Sequence, residues 1–178
     1  MTGLYPLSAR HFQPWKNGGG ETAEILVFPA GAGFDDFDWR ISTAKVAQDG
    51  PFSTFDGVDR NLTVLEGGRM QLQIGQDTIT LGPESPPFAF AGDLPCMASL
   101  QGGALLDFNV MTRRPLRAVV TRGPLRRVAA APCLGSYALL LQPAQGLARF
   151  DLVDLQACGA VLADALCGTA ALLVEIVE

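Results

Sequence analysis

Apolar side chains in this chain recur at every second residue, and no run of about a dozen residues carries a capped apolar stripe of 3.6-residue period. Met70, Leu72 and Ile74 alternate with Gln71 and Gln73, and Ile79 and Leu81 alternate with Thr78 and Thr80. Gly75-Gln76-Asp77 lies between the two runs. Side chains two apart on a strand share a face, so this window predicts a half-buried hairpin. The pattern returns at Trp39 and Ile41, at Phe88 and Phe90, and at Leu106, Phe108 and Val110. With 20 glycines and 12 prolines to break the chain into short pieces, the spacing predicts an all-β fold of antiparallel strands, a sandwich or a barrel. A parallel α/β fold is disfavoured because its crossover helices have no counterpart here. One helical turn is expected over Ser8–Phe12, closed by Pro14.

The 178 residues, 48% hydrophobic and 17% charged, suffice for a sizeable core and exclude wholesale disorder. The composition changes near residue 115. Arg113, Arg114, Arg117, Arg122, Arg126 and Arg127 cluster without an intervening acid. Strand-like runs then follow at Tyr137–Leu141, Leu147–Val153, Ala160–Leu162 and Ala170–Val177. The expected organisation is a larger half over 1–114 and a smaller sheet-rich half over 115–178. A net charge of −5 gives no support to nucleic-acid binding. The arginine cluster lacks interleaved aromatics and is broken by Pro115 and Pro124, so it reads as a solvated face or one paired with acids such as Asp151 and Asp154. The apolar stretch 157–177 is interrupted by Asp164, Gly159 and Gly168, which argues against a membrane span. The first residues lack the basic and apolar regions of a signal peptide. Cys96, Cys133, Cys158 and Cys167 form no CxxC pair and read as buried free thiols of a reducing compartment. A cytoplasmic protein is expected.

His11 is the one histidine, so a site built on two or three imidazoles is excluded, and neither a metal nor another cofactor is expected. Ser42 and Ser53 have no credible His–Asp partners. Trp15-Lys16-Asn17-Gly18-Gly19-Gly20 is open to two readings. It is either a loop whose amides approach a ligand beside Lys16 and Asn17, or a tight turn with no room for side chains. Arg40 and Ser42 share a strand face opposite Trp39 and Ile41, and a guanidinium fork suits a ligand carboxylate. Arg60 follows Gly57-Val58-Asp59 and either serves a ligand or bridges to Asp59 or Asp56. Asp93 is either an Asx-turn residue or a ligand-facing carboxylate. Asn109 and Asp107 share a face that is either cavity or solvent, and Arg113 is the cluster member nearest to a pocket. The candidate ligand-binding set is therefore Lys16, Asn17, Arg40, Ser42, Arg60, Asp93, Asn109 and Arg113. No catalytic residue is assigned.

Several motifs taken in order carry a resemblance: Trp15–Thr22, Trp39-Arg40-Ile41-Ser42, Asp49-Gly50-Pro51-Phe52-Ser53, Gly57-Val58-Asp59-Arg60, Gly92-Asp93 with Pro95, and Asp107–Met111 with Arg113-Arg114. In sequence and spacing they resemble the HutD/Ves family of bacterial cytoplasmic proteins. The motifs span about residues 5–114, and over 115–178 only the strand pattern agrees. The resemblance implies a bicupin-like fold with two antiparallel barrel or sandwich halves. For its HutD-like branch it implies a role beside histidine utilisation, through binding an intermediate of the formylglutamate kind and limiting pathway output. The Ves-like branch is linked to stress. A cupin usually holds its metal on a His-x-His pattern, and Gly67–Leu81 contains no histidine. The expected function is metal-free binding of a small anionic metabolite in a regulatory or sequestering role, with a homodimer left open. The alternative is a cofactor-free isomerase or hydrolase acting on a similar acid, with Asp93 or Asp107 as its base.

Overall fold

The computed structural model describes residues 3–126 and 133–178. In chain order the strands are β1 (Leu4–Tyr5), β2 (Gln13–Pro14), β3 (Gly20–Phe28), β4 (Trp39–Val46), β5 (Gly50–Phe52), β6 (Val58–Ile74) and β7 (Asp77–Leu81). They continue as β8 (Phe88–Ala91), β9 (Cys96–Arg113), β10 (Arg117–Pro124), β11 (Gly135–Leu140), β12 (Leu152–Asp154) and β13 (Ala170–Val177). One short helix, α1 (Ala160–Ala165), and a 3-10 turn at Leu7–Ala9 accompany them. Two compact units result, each with its own antiparallel sheet: His11–Arg114, and the described residues up to Arg10 together with Pro115–Glu178.

In the larger unit β6 and β9 are long enough to serve two ladders. Their outer portions, Val58–Val64 and Leu105–Arg113, lie in the order β2-β3-β4-β9-β6-β8. Their inner portions, Met70–Ile74 and Cys96–Leu100, lie in the order β5-β9-β6-β7. Register shifts at Val64/Glu66 and Gly67/Arg69 mark the bend between the two. A shared core joins Ala44, Val46, Leu62, Val64 and Leu105 of the first ladder to Met70, Leu72, Leu81 and Ala98 of the second. Each of the fully buried Leu and Met side chains contributes roughly 2 kcal/mol relative to exposure. The expected hairpin is present, with Met70 opposite Leu81 and Ile74 opposite Asp77, so Gly75-Gln76 alone makes the turn.

The fold is the antiparallel all-β one expected, with the larger sheet an open path between β2 and β7 that is not closed into a barrel. The structure corrects four expectations. Leu4–Tyr5, placed with the larger half from sequence, pairs with Leu152–Val153 of the smaller unit. Ala160–Leu162 is helical, not extended. Its backbone continues from Gly159 as Ala163 N–H bonds to Gly159 O, and the turn delivers Leu166 into the smaller unit's core. Of the run Leu147–Val153 only the end is strand, because Phe150 adopts a positive φ of 70° and interrupts it. The helical turn near the start lies at Leu7–Ala9, earlier than Ser8–Phe12. Arg127 of the arginine cluster lies outside the described residues.

Candidate functional site

Register places the polar residues of four strands, β3, β4, β9 and β6, in rows across one face of the larger sheet. Thr22, Ala44, Asp107 and Val64 make one row, and Glu24, Ser42, Asn109 and Leu62 the next. Arg40, Met111, Arg60 and Phe90 make the third. Toward Val46 and Leu72 this face is apolar and filled. Toward Arg40 and Arg60 it opens into a cavity of about 720 Å³. Pro51 and Phe52 of β5, Ser53 just after it, Phe34 and Phe55 from loops, and Trp15 to Asn17 complete its wall.

Arg40 and Arg60 are both nearly buried, at 9% and 8% exposure. Arg40 Nε donates to Glu24 Oε2 at 2.8 Å, its Nη1 reaches Ser42 Oγ at 3.4 Å, and its guanidinium lies 4.9 Å from the Phe34 ring centroid. Arg60 has a different setting. Its guanidinium sits between the Phe52 and Phe90 rings, 4.9 and 5.3 Å from their centroids, and donates one bond to Ser53 O at 3.4 Å. Its Nε has no hydrogen-bond partner among the described residues. Burial pushes the guanidinium's pKa down, and the Asp107 carboxylate opposes that shift.

Asp107 is 1% exposed. Burial pushes its carboxyl up to about 7, against the pull of Arg60 and a hydrogen bond from the Ala44 backbone. Its Oδ1 and the Oδ1 of Asn109 are buried acceptors without partners among the described residues. Both residues line the cavity, so their unpartnered oxygens mark where polar demand lies along its wall.

Six of the eight sequence candidates line this cavity: Lys16, Asn17, Arg40, Ser42, Arg60 and Asn109. Two do not. Asp93 is half-exposed and salt-bridged to Arg114 at 2.8 Å, which holds its carboxyl below the usual range. Arg113 donates to Phe37 O at 3.0 Å and Phe34 O at 3.4 Å, so it fastens the loop that carries Phe34 and does not reach the cavity itself. The glycine loop is a tight hairpin connection. Asn17 Oδ1 accepts from Gly19 N–H, and a Cβ on Gly20 would come within 2.5 Å of Lys45 O. Lys16 and Asn17 nonetheless project to the cavity rim.

The sequence reading missed Glu24 and the aromatic wall of Trp15, Phe34, Phe52 and Phe55. Thr22 and Glu24, two apart, carried the signal for the first, whereas the loop aromatics carry no periodic signal. Of the cluster, Arg114 pairs with Asp59 and Asp93 rather than with Asp151 or Asp154, and Arg117 donates to Glu178 O. All four cysteines are free thiols, but only Cys96 is buried. Among the described residues no cluster of His, Cys, Asp and Glu is arranged to hold a metal, and no helix is long and apolar enough to cross a membrane.

The chain is similar to HutD from Pseudomonas fluorescens SBW25, with 28% identity over 97% of this chain and 96% of that one and a TM-score of 0.76. A conserved protein of unknown function from Pseudomonas aeruginosa PAO1 matches at 30% identity over 98% and 92%, with a TM-score of 0.75. Protein Ves from Citrobacter koseri is 47% identical over 56% of this chain and 52% of its own length. An uncharacterized 21.2 kDa protein in the hutC 3′ region of Pseudomonas putida is 44% identical over 62% and 59%. The matched segments thus span just over half the length of these curated relatives. The HutD family model matches residues 8–172, nearly the whole sequence, and the chain belongs to the HutD family.

Proposed function

We propose that the cavity of the larger unit binds a small anionic metabolite, formylglutamate or a related carboxylate, in a regulatory or sequestering role linked to histidine utilisation. The observation that carries this reading is Arg60. A nearly buried guanidinium beside two aromatic rings, with one long hydrogen bond, a Nε without a partner among the described residues and, as its nearby carboxyl, an Asp107 whose own burial favours the neutral form, is poorly compensated until an anion reaches it. Glu24 already neutralises Arg40, whose remaining donors orient a ligand held beside Arg60. Lys16 adds exposed positive charge at the rim. Asn109 and Ser42 offer polar groups to an amide or formyl group, and the aromatic wall covers an aliphatic chain. The P. putida relative's location in the hutC 3′ region supports the pathway assignment.

Calorimetric titration of the folded protein with N-formylglutamate tests the reading. Saturable heat is expected, and Arg60→Gln weakens binding about 10- to 100-fold, the worth of a charge-assisted hydrogen bond. Absence of heat at millimolar ligand refutes it. Asp107, a buried carboxyl able to exchange a proton near neutrality, favours the second reading, a cofactor-free enzyme with Asp107 as general base. Product formation followed by NMR, abolished in Asp107→Asn, distinguishes that activity from binding alone.

A further inference from the structure

We propose that the cavity takes up its anion together with a proton, and that Asp107 is the group that holds this proton. The inference rests on the anion reading just given and adds a specificity-determining residue to it.

Asp107 lies mid-strand on β9, between Ala44 and Val64 in its row, neither of which brings a polar side-chain group to it. The Ala44 backbone supplies a hydrogen bond, Oδ1 is buried with no partner among the described residues, and Asp107 is one of the residues that line the cavity. The charged groups of the surrounding elements are few. β6 contributes Arg60, and β4 contributes Arg40, which is committed to Glu24 of β3. The Trp15–Gly20 connection contributes Lys16, which is exposed. On β9 itself the Cys96 thiol lies near Arg60, and burial keeps it in its neutral form by pushing its pKa up. Arg60 is therefore the cation that supports an ionised Asp107.

An anion bound at Arg60 claims that same support. Two negative charges beside one nearly buried guanidinium repel each other. Uptake of one proton from solvent by the Asp107 carboxylate removes the conflict. Burial has already brought this carboxyl to about 7, so little work is needed to protonate it at neutral pH. His11 is exposed and outside the cavity lining.

The test is calorimetry of the full chain with N-formylglutamate and, separately, glutarate, between pH 6 and pH 8.5, in buffers of different ionisation enthalpy. At pH 8 the buffer dependence should show close to one proton taken up per ligand, and affinity should be about tenfold weaker at pH 8 than at pH 6. Asp107→Asn, uncharged and nearly isosteric, should bind with no proton uptake and a flat pH profile. The wild-type buffer comparison counts the proton without relying on that variant. Wild-type binding with no proton uptake and no pH dependence would overturn the inference and leave the anion reading standing. Failure of both acids to bind at any pH would overturn the anion reading and this inference with it.

Discussion

At the scale of single residues, Asp107 carries a cost that the fold meets only in part. Its carboxyl is pushed up to about 7 in the folded chain, against an ordinary value near 4 once unfolded. Between those values the unfolded state has released the proton and the native state keeps it, so stability falls as pH rises through that window and levels off above it. Asp107→Asn removes the penalty. Urea unfolding should find the variant more stable than wild type at pH 8, by on the order of 2–4 kcal/mol, with the gap closing toward pH 4. Asp93 gives the opposite expectation for binding. Its carboxylate belongs to Arg114 and lies outside the cavity, so Asp93→Asn should leave the affinity for N-formylglutamate within about twofold by calorimetry. From sequence, Asp93 enters the candidate ligand-binding set and Asp107 does not, whereas the cavity is lined by Asp107 and not by Asp93. Each is an acid beside apolar residues, and only long-range pairing decides that one meets an arginine in solvent and the other meets one in a cavity.

At the scale of strands, the bend in β6 and β9 creates the two ladders and so the cavity end. Gly68 sits at that bend, where an added Cβ would lie 2.5 Å from Gly103 O and 2.8 Å from Gln101 O, both backbone atoms that cannot swing aside. Gly68→Ala should therefore destabilise the larger unit by about 2 kcal/mol or more, read as a lowered denaturant midpoint. The hairpin after this bend was legible in sequence because alternation, a two-residue turn and a buried face all agree there. The Arg40 and Asn109 rows were only half legible. Both faces of β4 and of the outer portion of β9 are largely buried, and alternation of polar with apolar residues ordinarily signals one wet face. The helix at Ala160–Ala165 was misread because six residues are too few to show a 3.6-residue period.

At the scale of the whole molecule, the chain returns to its beginning to finish its second unit. β1 borders β12, Leu7 N–H donates to Asp151 Oδ1 at 2.7 Å, and Arg10 donates to the Phe150 carbonyl. Asp151 also accepts from Ala148 N–H, so one buried carboxylate ties two distant segments together. Asp151→Ala leaves those amides without their acceptor and should cost about 2–3 kcal/mol, seen as faster amide exchange at Leu7 and Leu152. Nothing local in the first ten residues announces this pairing, because its partner is more than a hundred residues away. The two tryptophans are also unequally placed. Trp15 forms part of the cavity wall with its indole N–H on Thr22 Oγ1, whereas Trp39 stacks on Phe28 and lies outside the cavity lining. The protein thus contains a built-in optical reporter, since an occupant touching Trp15 changes its ultraviolet emission while Trp39 supplies a steady internal reference.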